Sequence, residues 1–262
     1  NCCEGNMKKI ILSRGLLVTI GACSNSENNE VAVAREGSPP NQVVEYVWHY
    51  KGPNFSQENL NMLVNKWNNM IDSRGYEMNG ANILTPRGES DADFIWVMLW
   101  PSMEARDSAW EDWMNSMDSE WQDAIDGIMS VDLENVYAFK PVVKRNPSIP
   151  NQTSSFENEF NFCNFNDGYD ENDLKKFEIN FASFLDETEK NDGPDGYWYV
   201  MLEPYFEGTE ENPLADYVWL SLWTDMDEKN TGYLNYSNTN LPEEGDTFSN
   251  CQRFSFSGKA IR

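Results

Sequence analysis

Along residues 94–100 the chain reads FIWVMLW, and its apolar side chains divide by parity. Phe94, Trp96, Met98 and Trp100 fall on one face, Ile95, Val97 and Leu99 on the other. Alternate side chains of a strand point to opposite faces, so a strand apolar on both parities is covered on both sides. One cover meets aromatic residues and the other aliphatic ones. The pattern returns in residues 217–223, YVWLSLW, with Tyr217, Trp219, Ser221 and Trp223 against Val218, Leu220 and Leu222. After each strand the period becomes helical. Ser102 and Asp225 are placed as N-caps, and Met103, Trp110, Trp113, Met114, Met117 and Trp121 recur at helical spacing.

The likeness extends beyond the strands. Residues 92–113 align with residues 215–236 at 22 positions, six of them identical, including two tryptophans on two tryptophans. Such a chain is read first as copies of one unit. Copy one opens with the strand VVEYVWHY. A helix follows, carried by Leu60, Leu63, Val64, Trp67, Met70 and Ile71. Then come a short strand over 81–85, the strand 94–100, a long acidic helix to about residue 128, and a closing strand over 136–142. Copy two opens with EFNFCNF, and its helix carries Leu174, Phe177, Phe181, Phe184 and Leu185. Strands over 197–202 and 215–223 follow, then a shorter helix, a polar loop over 237–246 and a last strand over 252–257. The order is β-α-β-β-α-β twice. The offset between copies is 114, then 123, then 117 residues, and such differences belong in loops. The expected boundaries are 43–145 for repeat one, a linker with two prolines over 146–155, and 156–262 for repeat two.

Residues 1–22 read as an upstream extension and signal peptide. From Met7 the sequence MKKIILSRGLLVTIGAC has positive Lys8, Lys9 and Arg14, then an apolar run too short to span a bilayer. Ile20-Gly21-Ala22-Cys23 resembles a bacterial lipobox, which implies lipidation at Cys23; an ordinary secretory signal is the alternative. Ser24 after that cysteine implies the outer membrane, facing the periplasm or the cell surface. Residues 23–42, rich in Ser, Asn, Glu and Pro, read as a flexible tether. Cys2 and Cys3 precede the start expected at Met7.

Charge narrows the partners. The 262 residues include 44 acidic and 19 basic side chains, a net −25; residues 1–22 carry a net +2, so the rest holds −27. That surface repels nucleic acid and anionic headgroups, leaving the lipid as the expected membrane attachment. Candidate chemistry is sparse. His49 is the only histidine, so a metal centre built on several histidines is excluded. No nucleophile elbow and no glycine-rich phosphate loop occurs, no cysteine pattern suggests zinc, and no cofactor is expected. The acidic runs 164–173 and 191–196 lack calcium-loop spacing and read as turns and caps.

Element order and repetition resemble the ferredoxin-like fold. The tandem pair with doubly covered strands resembles the dimeric α+β-barrel superfamily, which includes antibiotic-biosynthesis-type monooxygenases. Marine bacterial lipoproteins with the same tandem pattern are also similar, and no function carries over from them. The resemblance spans residues 43–262. It implies an α+β fold in which two repeats pack sheet to sheet around one ligand cavity, as a monomeric pseudo-dimer. It also makes the first and last strands of a repeat antiparallel neighbours, so Cys163 and Cys251 are expected to meet on one face as a disulfide.

In that frame Phe160 and Phe162 are expected against helices, and Glu45, His49, Glu159, Asn161, Cys163, Arg253 and Ser255 toward the barrel interior. If the aliphatic parity packs on helices, Trp96, Met98, Trp100, Trp219 and Trp223 point inward as well. The expected ligand site is then an aromatic cavity walled by Glu45, Trp96, Trp100, Asn161, Trp219, Trp223 and Arg253. Plain core for the aromatic residues, and a carboxylate partner for Arg253, are the alternatives. Three functions fit: a lipid-anchored module binding a small, partly apolar ligand; a cofactor-independent monooxygenase with His49 as general base; or an acidic module for protein interaction.

Overall fold

The computed structural model describes residues 42–210 and 212–262. The expected signal peptide, Cys2, Cys3, Cys23 and the tether up to residue 41 lie outside these residues. Repeat one runs β1 (Val43–Lys51), α1 (Gln57–Arg74), β2 (Gly80–Pro86), β3 (Phe94–Trp100), α2 (Met103–Ser116), α3 (Asp118–Ile125) and β4 (Met129–Arg145). Repeat two runs β5 (Ser155–Phe165), α4 (Glu171–Asp192), β6 (Trp198–Pro204), β7 (Tyr217–Trp223), α5 (Met226–Ser237), α6 (Leu241–Phe248) and β8 (Ser249–Ala260).

Local chemistry fixes the helix ends. The Ser56 hydroxyl accepts the Asn59 N–H at 3.1 Å to start α1, and Gly75 ends it in the left-handed region at φ 65°. Ser102 and Asp225 cap α2 and α5 as expected, and Asp170 with Asp173 forms a capping box on α4. The long acidic helix expected in repeat one is two helices, broken at Met117 (φ −122°). The polar loop expected over 237–246 is largely α6, which opens with proline in its first turn and buries Leu241 and Phe248. With only those two large apolar residues, LPEEGDTF is too polar to announce a helix. β4 is longer than the expected 136–142 because it pairs first with β1 and then with β6.

Each repeat forms a four-stranded antiparallel sheet, β4-β1-β3-β2 and β8-β5-β7-β6. The edges then pair across repeats, β2 with β8 and β4 with β6, closing an eight-stranded barrel. Ion pairs reinforce both seams in duplicate. Arg145 at the end of β4 reaches Asp186 of α4 at 2.7 Å, and Arg262 beyond β8 reaches Asp72 of α1 at 2.8 Å. Their acids stand 114 residues apart and their arginines 117, the offsets between the two copies. The expected disulfide joins Cys163 to Cys251, register partners on β5 and β8 with Cα atoms 4.0 Å apart.

The faces are the reverse of the expectation. Phe94, Trp96, Met98 and Trp100 pack with Leu60, Trp67, Trp113 and Trp121 of the helices. Trp219 and Trp223 pack with Phe177 and Phe181 of α4. The barrel interior is filled by Val44, Tyr46, Ile95, Val97, Phe139, Phe160, Val200, Val218, Leu220 and their neighbours. An eight-stranded barrel leaves an interior just wide enough for side chains to fill. Aliphatic residues and a few rings close it, and the indoles take the roomier layer between sheet and helices. The halves therefore enclose a packed core rather than a ligand cavity.

On the helix-facing side a carboxylate is buried at the corresponding place in each repeat. Glu45 is fully buried; it accepts from Arg106 Nε at 2.7 Å, Trp100 Nε1 at 3.0 Å and Trp110 Nε1 at 3.0 Å. Glu159, 114 residues on, accepts from Tyr233 and from Ser255 Oγ (2.7 Å) and pairs with Lys229 Nζ at 3.1 Å. Arg106 and Trp110 align with Lys229 and Tyr233 at the 123-residue offset. Each device pins the helix after the third strand onto the first strand. Breaking a buried pair from one side strands a charge, whereas removing both partners is far milder. Arg106→Met is expected to lower the unfolding free energy by about 2–3 kcal/mol, the partly exposed guanidinium placing it below the fully buried range. Glu45→Gln combined with Arg106→Met removes both charges, keeps an acceptor for the Trp100 and Trp110 indoles, and should recover most of that loss. Denaturant unfolding of the wild type and the two variants measures it; equal losses for the single and double variants would refute the ion-pair account.

Candidate functional site

Between the sheet of repeat two and its helices lies a cavity of about 700 Å³. Its floor comes from β5, β7 and β8, and its roof from α4, α5 and α6. The floor is ordered in rows by strand register. Asn161 stands opposite Trp219 on one side and Arg253 on the other; Ser221 lies in the next row beside Glu159. The roof supplies Phe177, Phe181, Phe184 and Leu185 from α4, Gly232, Tyr233 and Tyr236 from α5, and Phe248 from α6. Trp219 stacks on Tyr199 at 4.2 Å with the rings nearly parallel. Its indole N–H donates to Ser221 Oγ at 3.1 Å, which also bonds the Tyr197 hydroxyl at 3.1 Å.

Repeat one has a space of about 60 Å³ in the same layer, lined by His49, Trp67, Trp96, Trp100, Trp110 and Trp113 among others. Alignment of the copies accounts for much of the difference. Met98, Ala109, Trp110 and Trp113 are replaced by Ser221, Gly232, Tyr233 and Tyr236, each smaller. Trp67 becomes Phe181, while Leu63→Phe177 and Met70→Phe184 run the other way. The exchange of Met98 for Ser221 also changes polarity. The Trp96 indole N–H has no hydrogen-bond partner among the described residues, whereas its counterpart on Trp219 has Ser221.

The structure thus divides the expected site residues into two groups. Asn161, Trp219, Trp223 and Arg253 line the large cavity; Trp96, Trp100 and His49 line the small space in repeat one. Glu45 is spent on its ion pair and touches neither. The sequence reading missed the helix-borne lining, above all Gly232, Tyr233 and Tyr236. Their signal was the set of residues in copy two that are smaller than their counterparts in copy one.

Electrostatics differ between the groups. Glu159 is pushed up by burial but drawn further down by hydrogen bonds from Tyr233 and Ser255 and by the Lys229 ammonium, leaving it below the usual carboxylate range. Tyr197, Tyr217 and Tyr233 are held up by burial and stay neutral phenols. His49 is buried in repeat one. Burial lowers its pKa to about 4 against the raising effect of its bond to the Val47 carbonyl, at 2.9 Å from Nδ1. It is a neutral ring stacked at 5.2 Å on Phe94.

A closed antiparallel barrel with helices outside, formed by two ferredoxin-like repeats, is a dimeric α+β barrel folded within one chain. No protein-family model and no curated protein matches the sequence. Solved structures that it resembles include a mutant chlorite dismutase from Candidatus Nitrospira defluvii, 7% identical over 84% of this chain and 91% of that one, with a TM-score of 0.48. An anthrone oxidase-like protein is 11% identical over 84% and 91%, TM-score 0.48. A heme-binding protein from Thermus thermophilus is 14% identical over 87% and 94%, TM-score 0.46. At this distance the likeness concerns the path of the chain and not its chemistry.

The histidine makes a pH prediction. Its folded-state pKa lies below the ordinary 6.5, so protonation favours the unfolded chain. Its contribution is complete above pH 6.5 and declines as pH falls toward 4, by about 3 kcal/mol in all at 1.36 kcal/mol per unit. Asp195, raised by burial and by Glu228, works in the opposite direction, so the comparison with a variant isolates the histidine. His49→Asn should flatten the stability profile between pH 6.5 and 5, above the range where most carboxylates titrate. Parallel profiles for the two proteins in thermal unfolding would rule this out.

Proposed function

We propose that this chain binds a small, flat, partly apolar molecule in the helix–sheet cavity of repeat two. The observation that carries the reading is the contrast between about 700 Å³ in that repeat and about 60 Å³ in the other, within the same frame of strands and helices. The larger value falls in the range of small-molecule sites, and an aromatic wall with a few polar groups is their usual makeup. Trp219, Phe177 and Phe181 supply flat apolar surface. Ser221, Asn161 and Arg253 supply orientation.

Haem, which one solved structure of this fold is described as binding, does not fit. The cavity lining contains no histidine, methionine or free thiol. Its cysteines are joined to one another; its phenols Tyr197, Tyr217 and Tyr233 are hydrogen-bonded, and burial holds these three and the Tyr236 phenol in the neutral form. None offers the ligand that haem iron takes from a protein. No reaction is assigned either. The oxygenase alternative rests on His49, which sits in the other repeat beside a space too small for an aromatic substrate.

We also infer that the chain belongs to the bacterial envelope, anchored through Cys23. The lipobox-like Ile20–Cys23 run supports it, as does the Cys163–Cys251 disulfide, which suits an oxidising compartment. Among the described residues no helix is long and apolar enough to cross a membrane. Labelled palmitate should enter the full-length protein in cells and be lost in Cys23→Ala; equal labelling of both would remove the anchor.

Ligand binding is tested with N-phenylnaphthylamine, a neutral aromatic probe. Its fluorescence should rise on mixing, with quenching of tryptophan that weakens in Trp219→Phe. A Cβ at Gly232 stands 3.5 Å from Trp223 Nε1, an ordinary contact. Gly232→Ala should therefore keep binding and stabilise α5 by about 0.5–1 kcal/mol. Gly232→Leu extends into the cavity and should weaken binding at least roughly tenfold, as steric exclusion of a buried ring implies. Unchanged probe affinity in Gly232→Leu would remove the cavity from the function.

A further inference from the structure

We infer that the occupant of this cavity carries an acidic head group, a carboxylate or sulfonate, seated on Arg253 and Asn161, with its flat body against Trp219. The inference rests on the small-molecule reading above and specifies the class of ligand.

Arg253 stands apart from the other arginines among the described residues. Every other arginine among the described residues pairs with a carboxylate. Arg253 pairs with none of those described, in a chain of 44 acidic and 19 basic residues. Its neighbour across the β5–β8 register is Asn161, whose side-chain amide also makes no hydrogen bond among the described residues. Both line the cavity, and the next residue in the row is Trp219. The row therefore presents the planar donor fork of a guanidinium, a neutral amide and a flat indole in that order. A guanidinium matches a carboxylate or sulfonate in geometry and charge. An amide adds one donor without a competing charge.

Arg253 is exposed at the mouth while the indole is buried, which suits an amphipathic molecule with its head near water and its body inside. The charge of Arg253 also reaches the cavity wall. Burial pushes the Tyr233 and Tyr236 phenols up, and Arg253 works against it at both. Carboxylates also line the cavity. Glu228 is held by the backbone N–H groups of Gly196 and Thr224, and Asp192 accepts from Asn235 at 3.2 Å. These carboxylates repel an anion that misses Arg253, so recognition should depend steeply on that one side chain.

A matched pair of probes tests this with the full chain. Anilinonaphthalene sulfonate and N-phenylnaphthylamine share a ring skeleton and differ in the acidic group. Arg253→Met should weaken the sulfonate roughly 10- to 100-fold, the usual worth of a charge-assisted hydrogen bond, and leave the neutral probe within about twofold. Arg253→Lys should recover part of the loss. Added salt should weaken the sulfonate and spare the neutral probe. A sulfonate affinity that is unchanged in Arg253→Met, or that falls equally for both probes, would overturn the head-group assignment. Failure of the neutral probe to bind wild-type protein would instead overturn the cavity reading on which it stands.

Discussion

Two edges per sheet set the terms for this molecule. A four-stranded sheet leaves a row of unpaired N–H and C=O groups on each outer strand, and such edges invite pairing with another chain. Here β2 meets β8 and β4 meets β6, so each repeat covers both edges of the other. The seams are held again outside the ladder, by Arg145 with Asp186 and by Arg262 with Asp72. These pairs run from the end of the last strand of one repeat, or just beyond it, to the first helix of the other. Neither repeat can satisfy its edges alone, and closure makes two ferredoxin-like units one barrel.

Closure then decides where each kind of side chain goes. A barrel of eight strands closes on a space that side chains fill, and Val97, Leu220, Phe160 and their neighbours fill it. Bulk that does not fit inside must lie outside, under the helices. That layer holds Trp96, Trp100, Trp219 and Trp223. The candidate site follows from the same rule, since room for a ligand can open only in the layer that is not closed by the barrel.

Much of this architecture was legible in the residues. The Trp-on-Trp alignment revealed the duplication, the caps at Ser102 and Asp225 marked helix starts, and the resemblance to the ferredoxin-like order implied that Cys163 meets Cys251. The orientation of the faces was not legible. Parity separates Trp96 from Val97 but both faces are apolar, so alternation alone carries no label for inside. Asn161 and Arg253 belonged together in the sequence reading, and the structure keeps them together; what moved is the side of the sheet on which they meet. The helix-borne walls were hidden for another reason. Gly232 and Tyr236 look unremarkable alone, and become informative only against Ala109 and Trp113 at the same positions of the other copy.

Duplication also supplies an internal control. Both repeats bury a carboxylate on the first strand and pin a helix to it, Glu45 with Arg106 and Glu159 with Lys229. In repeat one the indoles of Trp100 and Trp110 complete that cluster. In repeat two a tyrosine and a serine do so, and Trp223 is left to face the cavity with Lys229 over its ring at 5.0 Å. Close packing is the ordinary state of a protein interior, and unfilled volume forgoes dispersion contacts. Repeat one shows that this frame can be packed nearly full. Repeat two keeps the frame, the ion pair and the seams, and gives up the filling. A departure from close packing concentrated in one copy, with the restraints around it retained, is the physical reason for proposing that binding belongs to repeat two and structural support to repeat one.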